Sequence, residues 1–328
     1  MKLKPAYFRA GLDFLKAGLE MRTIAILNPF SDYGRTGKKS ATVAAALRDA
    51  GMEVEMWLTQ ATGHAIELAR KAAVEAEAIL AIGGDGTIHE VCRGLVESAR
   101  PVHLGVMPLG TGNDFAKMLG MARHPAEAAR QLATATPRAV DYGKVRWIEN
   151  GHAGETPFVN NVGVGFDAQA AVEAFSYKFL PGMTGYLVSV LKTIRRWSGP
   201  TVRLTGVEAT GGAASLLYEG RLLLVTAGNG ICSGGMFYLT PRASITDGLL
   251  DFCLVEHTSP QRIVQVIPRA LKGRHETEPE VHTGQIRSLR VTSDVGLPIH
   301  TDGEIAAQNA QTIEIEVVPR GLSVLMPA

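Results

Sequence analysis

Ala78-Ile79-Leu80-Ala81-Ile82-Gly83-Gly84-Asp85-Gly86-Thr87-Ile88-His89-Glu90-Val91 is the stretch whose reading decides the fold. Its apolar run is short, uncharged and closed by a turn signal, which predicts a buried strand. Residues from Thr87 to about Glu97 predict a helix. A glycine-rich corner between a strand and a helix N-terminus presents backbone N–H groups with no acceptor of their own. Such a corner favours anions, phosphate above all. Asp85 is repulsive beside bound phosphates unless it holds a metal or takes a proton, which points to a nucleoside triphosphate with Mg2+. The same residues also fit a plain strand-to-helix turn that needs glycine for its backbone freedom.

About 25 residues on, a second break of the same kind follows: His103-Leu104-Gly105-Val106-Met107-Pro108-Leu109-Gly110-Thr111-Gly112-Asn113-Asp114-Phe115-Ala116. Again an apolar strand runs into glycines and threonine, then a helix. Two neighbouring parallel strands place both loops at the edge where open α/β sheets bind ligands.

Gly83-Gly84-Asp85-Gly86-Thr87 followed by Pro108-Leu109-Gly110-Thr111-Gly112-Asn113-Asp114-Phe115 resembles the diacylglycerol kinase catalytic-domain family. That family includes bacterial lipid kinases and sphingosine kinases and is more distantly similar to NAD kinases and phosphofructokinases. The resemblance covers nearly the whole chain from about Met21. It implies an α/β plus β architecture, with an N-terminal parallel α/β nucleotide-binding domain, a mostly antiparallel β-sandwich domain and the active-site cleft between them.

Composition agrees with two domains: 328 residues suffice for two sizeable cores. A formal net charge of +1 gives no global field for nucleic acid. Cys92, Cys232 and Cys253 have no metal-ligand spacing and read as buried thiols in a reducing compartment. No apolar run approaches the ~18 residues of a membrane span, and residues 1–20 lack the apolar core of a secretory signal. The expectation is a cytoplasmic protein that meets lipid peripherally, at the inner face of the membrane, with a homodimer as a further expectation.

Residues 1–20, with Phe8, Leu12, Leu15 and Leu19 at helical spacing, read as an N-terminal extension. Met21 opens a first strand running into Asn28-Pro29-Phe30-Ser31-Asp32-Tyr33-Gly34. The glycines of this loop are too close together for a Walker A site, and Lys38 is followed by Lys39. A helix at about Lys38–Ala50, a strand at about Glu53–Leu58 and a helix at about Thr62–Glu77 complete a β-α-β-α-β order, hence a parallel sheet. The nucleotide-binding domain is expected over 21–136. After Pro137 the texture becomes β-rich, with Asn150-Gly151 as a hairpin signal. Residues 137–319 are expected as the lipid-binding domain, and the strand at about 320–328 as returning to the first.

The resemblance carries specific roles to positions that match. ATP contacts fall on Asn28, Pro29, Phe30, Ser31, Gly34, Thr59, Gly83, Gly84, Asp85, Gly86, Thr87, Glu90, Gly110, Thr111, Asn113 and Asp114, with Asp85 orienting Mg2+. Without the resemblance Thr59 equally fits a helix N-cap. A structural Mg2+ is implied at Asp247 with the carbonyls of Ser244 and Leu249, where Asp247-Gly248 also fits a plain turn. The proton acceptor falls on Glu304 of Asp302-Gly303-Glu304, with Asp302 as its rival and Asp85 as a third choice by similarity with sphingosine kinases.

Gly163-Val164-Gly165-Phe166-Asp167-Ala168 fits a dinucleotide fingerprint, but no acid lies between Glu173 and Glu208 to bind a ribose. In lipid kinases a similar stretch, here Asn160 to Ala168, lines the acceptor side. Glu276, Glu278 and Glu280 read as a solvated loop. No nucleophile elbow or zinc-protease motif supports a hydrolase.

The expected function is an ATP- and Mg2+-dependent lipid kinase acting on diacylglycerol. Phosphatidylglycerol, a sphingoid base, ceramide or a soluble acceptor such as NAD stand as alternative acceptors, and a non-enzymatic nucleotide-binding regulator stands as the non-catalytic alternative. Lys178, Lys192, Arg195, Arg196 and Arg203, interleaved with Phe175, Tyr177, Phe179, Tyr186 and Trp197, suggest a membrane-docking face centred on Arg195, Arg196 and Trp197. Arg262, Arg269, Lys272 and Arg274 are read as extending it.

Overall fold

Short apolar segments without charge make the buried strands of a parallel sheet, because helices cover both faces. β1 (Thr23–Leu27) and β3 (Ala78–Gly83) are of this kind, buried along their whole length. β2 (Val54–Leu58) pairs only with β1, and its charged and half-exposed side chains are those of an edge. β4 (His103–Pro108) lies on the other side of β3, giving the parallel order β2–β1–β3–β4. The computed structural model describes residues 21–31, 34–174 and 184–327, without the side chains of 184–187. The N-terminal helical spacing, Asp32, Tyr33, Phe175, Tyr177, Lys178 and Phe179, and the side chains of Tyr186 and Leu187, lie outside the described residues.

Two units are distinguished. The first comprises the described residues up to Ala139 and those from Leu322 onward. In it Ser323 and Val324 pair in parallel with His103 and Leu104, adding the chain end to the sheet beside β4. The helices are α1 (Arg35–Lys38), α2 (Ser40–Asp49), α3 (His64–Ala72), α4 (Asp85–Ser98), α5 (Asp114–Met118) and α6 (Pro125–Ala133). The helix expected at Lys38–Ala50 is divided at Lys39, and the one expected to reach Glu77 stops at Ala72. There the Val74 and Glu75 N–H groups bond three residues back, tightening the chain into a turn that leads into β3. Gly94 lets α4 approach α3, since a Cβ there would lie 2.5 Å from the Ile66 carbonyl oxygen.

The second unit spans Val140–Gly321. β5 (Thr136–Glu149) enters it and turns through Asn150 (φ 51°) and Gly151 (φ 78°) into β6 (His152–Phe158). Two consecutive left-handed residues twist the turn as the strands twist, which is why Asn-Gly signals it. β7 (Asn161–Gly165), β8 (Thr201–Glu208), β9 (Ser215–Gly228), β10 (Leu250–Glu256), β11 (Val281–Thr301) and β12 (Glu304–Met326) pair antiparallel. Their inward residues, among them Phe158, Val164, Leu204, Leu254, Leu289 and Ile313, form one core. α7 (Phe166–Ala174), α8 (Thr184–Arg196) and α9 (Pro260–Ala270) cover a second cluster with Phe166, Ile194, Leu223, Val255 and Ile263. The three cysteines are buried and none forms a disulfide among the described residues. Burial pushes the Cys253 thiol up to about 12.

Candidate active site

The carboxyl ends of β1, β2, β3 and β4 converge because the ladder continues one residue past each strand. Asn28 N–H bonds Ile82 O at 3.1 Å, Thr59 N–H bonds Leu27 O at 3.0 Å and Leu109 N–H bonds Gly83 O at 2.7 Å. Asn28, Thr59 and Leu109 therefore stand in one row at the sheet edge. Asn28 Oδ1 accepts the Phe30 N–H at 2.9 Å, turning the loop, while its Nδ2 donates to Thr87 Oγ1 at 3.1 Å. Ser31 Oγ lies 3.3 Å from the same hydroxyl. Gly83 is required below them, since a Cβ would meet Thr87 Oγ1 at 2.5 Å.

The two glycine loops touch backbone to backbone. A Cβ on Gly84 would stand 3.2 Å from the Gly110 Cα, and one on Gly110 would overlap the Gly84 Cα. The Asp85 carboxylate closes the contact: Oδ2 accepts the Asn113 N–H and Oδ1 the Asp114 N–H, each at 2.6 Å. Asn113 adopts φ 56° and clips its own loop, accepting from Gly110 N–H at 2.9 Å and donating to Gly110 O at 2.7 Å. Buried Asp114 pairs with Lys117 at 2.8 Å. Glu90, one helical turn beyond Thr87, caps α3, accepting the Gly63 and Ala65 N–H groups at 2.8 and 3.1 Å. Both Asp85 and Glu90 thus serve as acceptors for helix N-termini, a role that local sequence does not reveal because the donors lie about 25 residues away.

An anion fits this corner. The first amides of α4, from Asp85 to Thr87, have no intrahelical acceptor, and Gly84 leads into them extended (φ −95°, ψ −174°). Buried Thr59 Oγ1 has no hydrogen-bond partner among the described residues, an orphan that a polar ligand at this edge would satisfy. Thr111 is exposed, Gly34 takes φ 79°, and the Phe30 ring is 65% exposed beside the loop.

The residues expected on the acceptor side belong to the second unit. Thr301 pairs with Glu304 across a two-residue turn of Asp302 (φ 51°) and Gly303 (φ 90°). Asp302 accepts three backbone amides, Val159 at 3.0 Å and Asn160 and Asn161 at 2.9 Å each. Its lone pairs are committed to holding the turn. Glu304 is exposed and makes no side-chain hydrogen bond among the described residues. Asp167, in the first turn of α7, lies 3.2 Å from His300 Nε2, and the motif reading had given His300 no role.

Asp141 also carries weight that the sequence reading missed. Fully buried, it accepts the Gly248 and Arg320 N–H groups at 2.7 Å each, and so fixes the turn that carries Ser244, Asp247 and Leu249. Its signal is a lone acid within the apolar run Ala139-Val140-Asp141-Tyr142. Asp247 Oδ1 accepts the Leu249 N–H at 3.0 Å, and Gln285 Nε2 reaches Asp247 at 3.4 Å and Asp251 at 3.3 Å. Burial, reinforced by the Asp247 charge, raises the Asp251 carboxyl above its ordinary range. Among the described residues no three His, Cys, Asp or Glu side chains cluster as a metal site. A hard cation at Asp247 would take its further oxygens from the backbone, and two carboxylates sharing one amide donor suit such an ion.

Two sequence expectations are corrected. Glu278 and Glu280 are not solvated: Glu278 is buried against Arg262 and Arg269, Arg262 also reaches Glu280 at 2.7 Å, and Glu276 holds Arg242 at 2.9 Å. Glu278 and Glu280 neutralise the α9 arginines Arg262 and Arg269, which therefore do not extend a basic face. Trp197 is not a surface anchor either. Its Nε1 donates to Leu222 O at 3.0 Å and its ring meets Phe166 edge-on, so it lies partly buried against the second cluster.

Comparison with known proteins follows from this geometry. Residues 22–145 match the diacylglycerol kinase catalytic domain, and residues 160–326 match the YegS C-terminal NAD kinase beta sandwich-like domain. A diacylglycerol kinase of Bacillus subtilis is 32% identical over 285 residues, 86% of this chain and 89% of that one. A Pseudomonas aeruginosa protein named "Probable lipid kinase YegS-like" is 32% identical over 285 residues, 87% and 88% of the two chains. The crystal structure of a diacylglycerol kinase from Bacillus anthracis shares the fold, with TM-score 0.67 at 22% identity, covering 93% of this chain and 97% of that one.

Asp85→Asn turns an NH2 group toward one of the two amides and leaves that donor without its acceptor. We expect a loss of about 1–3 kcal/mol of stability together with weaker nucleotide binding, read by thermal unfolding with and without ATP. Wild-type unfolding of Asp85→Asn would show that the carboxylate does not hold the second loop.

Proposed function

The chain belongs to the diacylglycerol kinase family of lipid kinases, and from that premise we propose that it transfers the γ-phosphoryl group of ATP to the free hydroxyl of diacylglycerol, giving phosphatidic acid and ADP. The observation that carries the nucleotide half is the double glycine corner, where Gly84 and Gly110 touch and the first amides of α4 have no intrahelical acceptor. Phosphoryl transfer needs positioning and charge neutralisation more than covalent chemistry. The amides from Asp85 to Thr87 cradle the phosphates; Asn28, Ser31 and the Thr59 hydroxyl complete the nucleotide contacts. Asp85 shapes this cradle through the Asn113 and Asp114 amides. Mg2+ bound with ATP would neutralise charge on the phosphates; Asp247 and the Ser244 and Leu249 carbonyls would hold a second ion on a turn that Asp141 already fixes.

For the acceptor half, the lipid oxygen attacks the γ-phosphorus, the bond to the β-phosphate oxygen breaks, and the hydroxyl proton passes to Glu304. Glu304 rather than Asp302 takes this role because Asp302 is engaged by three amides whereas Glu304 is free to reach a substrate. The proton passes late, as the hydroxyl acidifies in the transition state. The Bacillus subtilis relative's name supports diacylglycerol, while the Pseudomonas aeruginosa name specifies no lipid.

No helix among the described residues is long and apolar enough to cross a membrane, so the lipid is met at the bilayer surface. α8 suits that encounter: Val188 and Leu191 are exposed, Leu191 by 57%, and Arg195 and Arg196 lie exposed at its end. Lys192 is paired with Glu173 and Arg203 with Glu219, which leaves these two arginines as the helix's outward charge.

Labelled ATP offered with a panel of lipids in detergent micelles, and with NAD, tests the reaction. Label in the organic phase with diacylglycerol is expected; label on NAD alone overturns the proposal. Glu304→Gln should lower kcat and kcat/KM together and leave ATP affinity unchanged. For the surface, Arg195→Ala with Arg196→Ala should weaken sedimentation with anionic vesicles at low salt, by on the order of 1 kcal/mol per arginine. Equal sedimentation of variant and wild type would discard α8 as the docking element.

A further inference from the structure

Asp167, Thr226 and His300 form a buried polar cluster in the second unit that the reaction described above does not use. The His300 side chain is 5% exposed and that of Asp167 13%, with His300 Nε2 3.2 Å from Asp167 Oδ2. Thr226 Oγ1 donates to the same oxygen at 3.3 Å, and the Ala168 N–H to the other at 2.9 Å. The cluster is built in by Gly163, which faces His300 across the β7–β11 pairing; a Cβ there would overlap both the carboxylate and the imidazole. Burying a carboxylate and an imidazole is costly unless both are hydrogen-bonded, and a satisfied pair of this kind rigidifies what it joins.

What it joins is the turn that carries Glu304. His300 stands four residues before Glu304 on β11, and Asp167 stands on the first turn of α7. Because Glu304 makes no side-chain hydrogen bond among the described residues, its carboxylate goes where its backbone goes. Asp302 ties the tip of the turn to the amides of Val159, Asn160 and Asn161. His300 ties the strand leading into the tip to a different element. The tautomer that fits carries its proton on Nε2, donating to Asp167, and leaves the buried and unpartnered Nδ1 as an acceptor without a stranded hydrogen.

We propose that Asp167 and His300 are a positioning pair for the lipid kinase reaction, tying the end of β11 to α7 and so setting the pose of Glu304 toward the acceptor hydroxyl. The imidazole acts through Asp167 and touches no substrate. The inference rests on the reading of Glu304 as the proton acceptor.

The test compares His300→Gln, His300→Leu and His300→Asn. Glutamine presents an amide N–H to Asp167, leucine fills the space without a donor, and the shorter asparagine stops short of the carboxylate. A misplacement of about 1 Å at a reacting group costs on the order of 100-fold. His300→Leu and His300→Asn should therefore lose about 10- to 100-fold in kcat with the KM for ATP unchanged, and His300→Gln should recover most of it. Amide hydrogen exchange over residues 301–306 should quicken in the leucine and asparagine variants and return to the wild-type rate in glutamine. Native exchange and kcat in His300→Asn would overturn the proposal. So would a glutamine variant with native exchange but no activity, since the imidazole would then take part in the chemistry. If the wild-type protein phosphorylates no lipid, the functional reading fails, and the exchange rates still decide whether the pair holds the turn.

Discussion

The Asp85 carboxylate, accepting the Asn113 and Asp114 amides at 2.6 Å each, is the interaction on which the nucleotide corner depends. It adds two charge-assisted bonds to the Leu109 N–H to Gly83 O link between the glycine loops, and glycine contributes no side-chain packing of its own. The arrangement works only because Gly84 and Gly110 bring their backbones together, which places the carboxylate within reach of the start of α5. A negative group at a helix start also complements the partial positive charge there. Glu90 repeats the device one turn along α4 by capping α3, so a single helix organises the starts of two others.

The second unit uses the same economy of acids. Asp302 gathers the amides at the entry to β7, Asp141 gathers those of the Ser244–Leu249 turn and the chain near Arg320, and Asp167 accepts from Thr226 and His300. Each joins segments far apart in sequence. Glu304, by contrast, is exposed and makes no side-chain hydrogen bond among the described residues, as the proposed proton acceptor requires.

Much of this was legible from residues alone. The apolar runs at 78–83 and 103–108 are strands, and Asn150-Gly151 is a two-residue turn with both residues left-handed, because those signals depend on local sterics. The partners of Asp85, Glu90 and Asp302 were not legible, since a carboxylate's identity says nothing about which distant amide it will meet. Charge patterning misled where burial intervened. Glu278 looks solvated between polar neighbours, yet it sits buried under two α9 arginines, and Trp197 beside two arginines looks like a surface anchor, yet its indole is held by Leu222. Both errors share a cause: a one-dimensional run of charge does not report the face each side chain takes once helices pack on a sheet.

The central claim is that the paired glycine corner of the first unit receives the phosphates of ATP. The measurement that tests it most directly is an amide-resolved NMR titration of the deuterated protein with a Mg2+ complex of a non-hydrolysable ATP analogue. The account predicts the largest shifts at Gly84–Ile88 and Gly110–Asp114. Shifts confined to Gly163–Ala168, or a silent corner under saturating analogue, would contradict it.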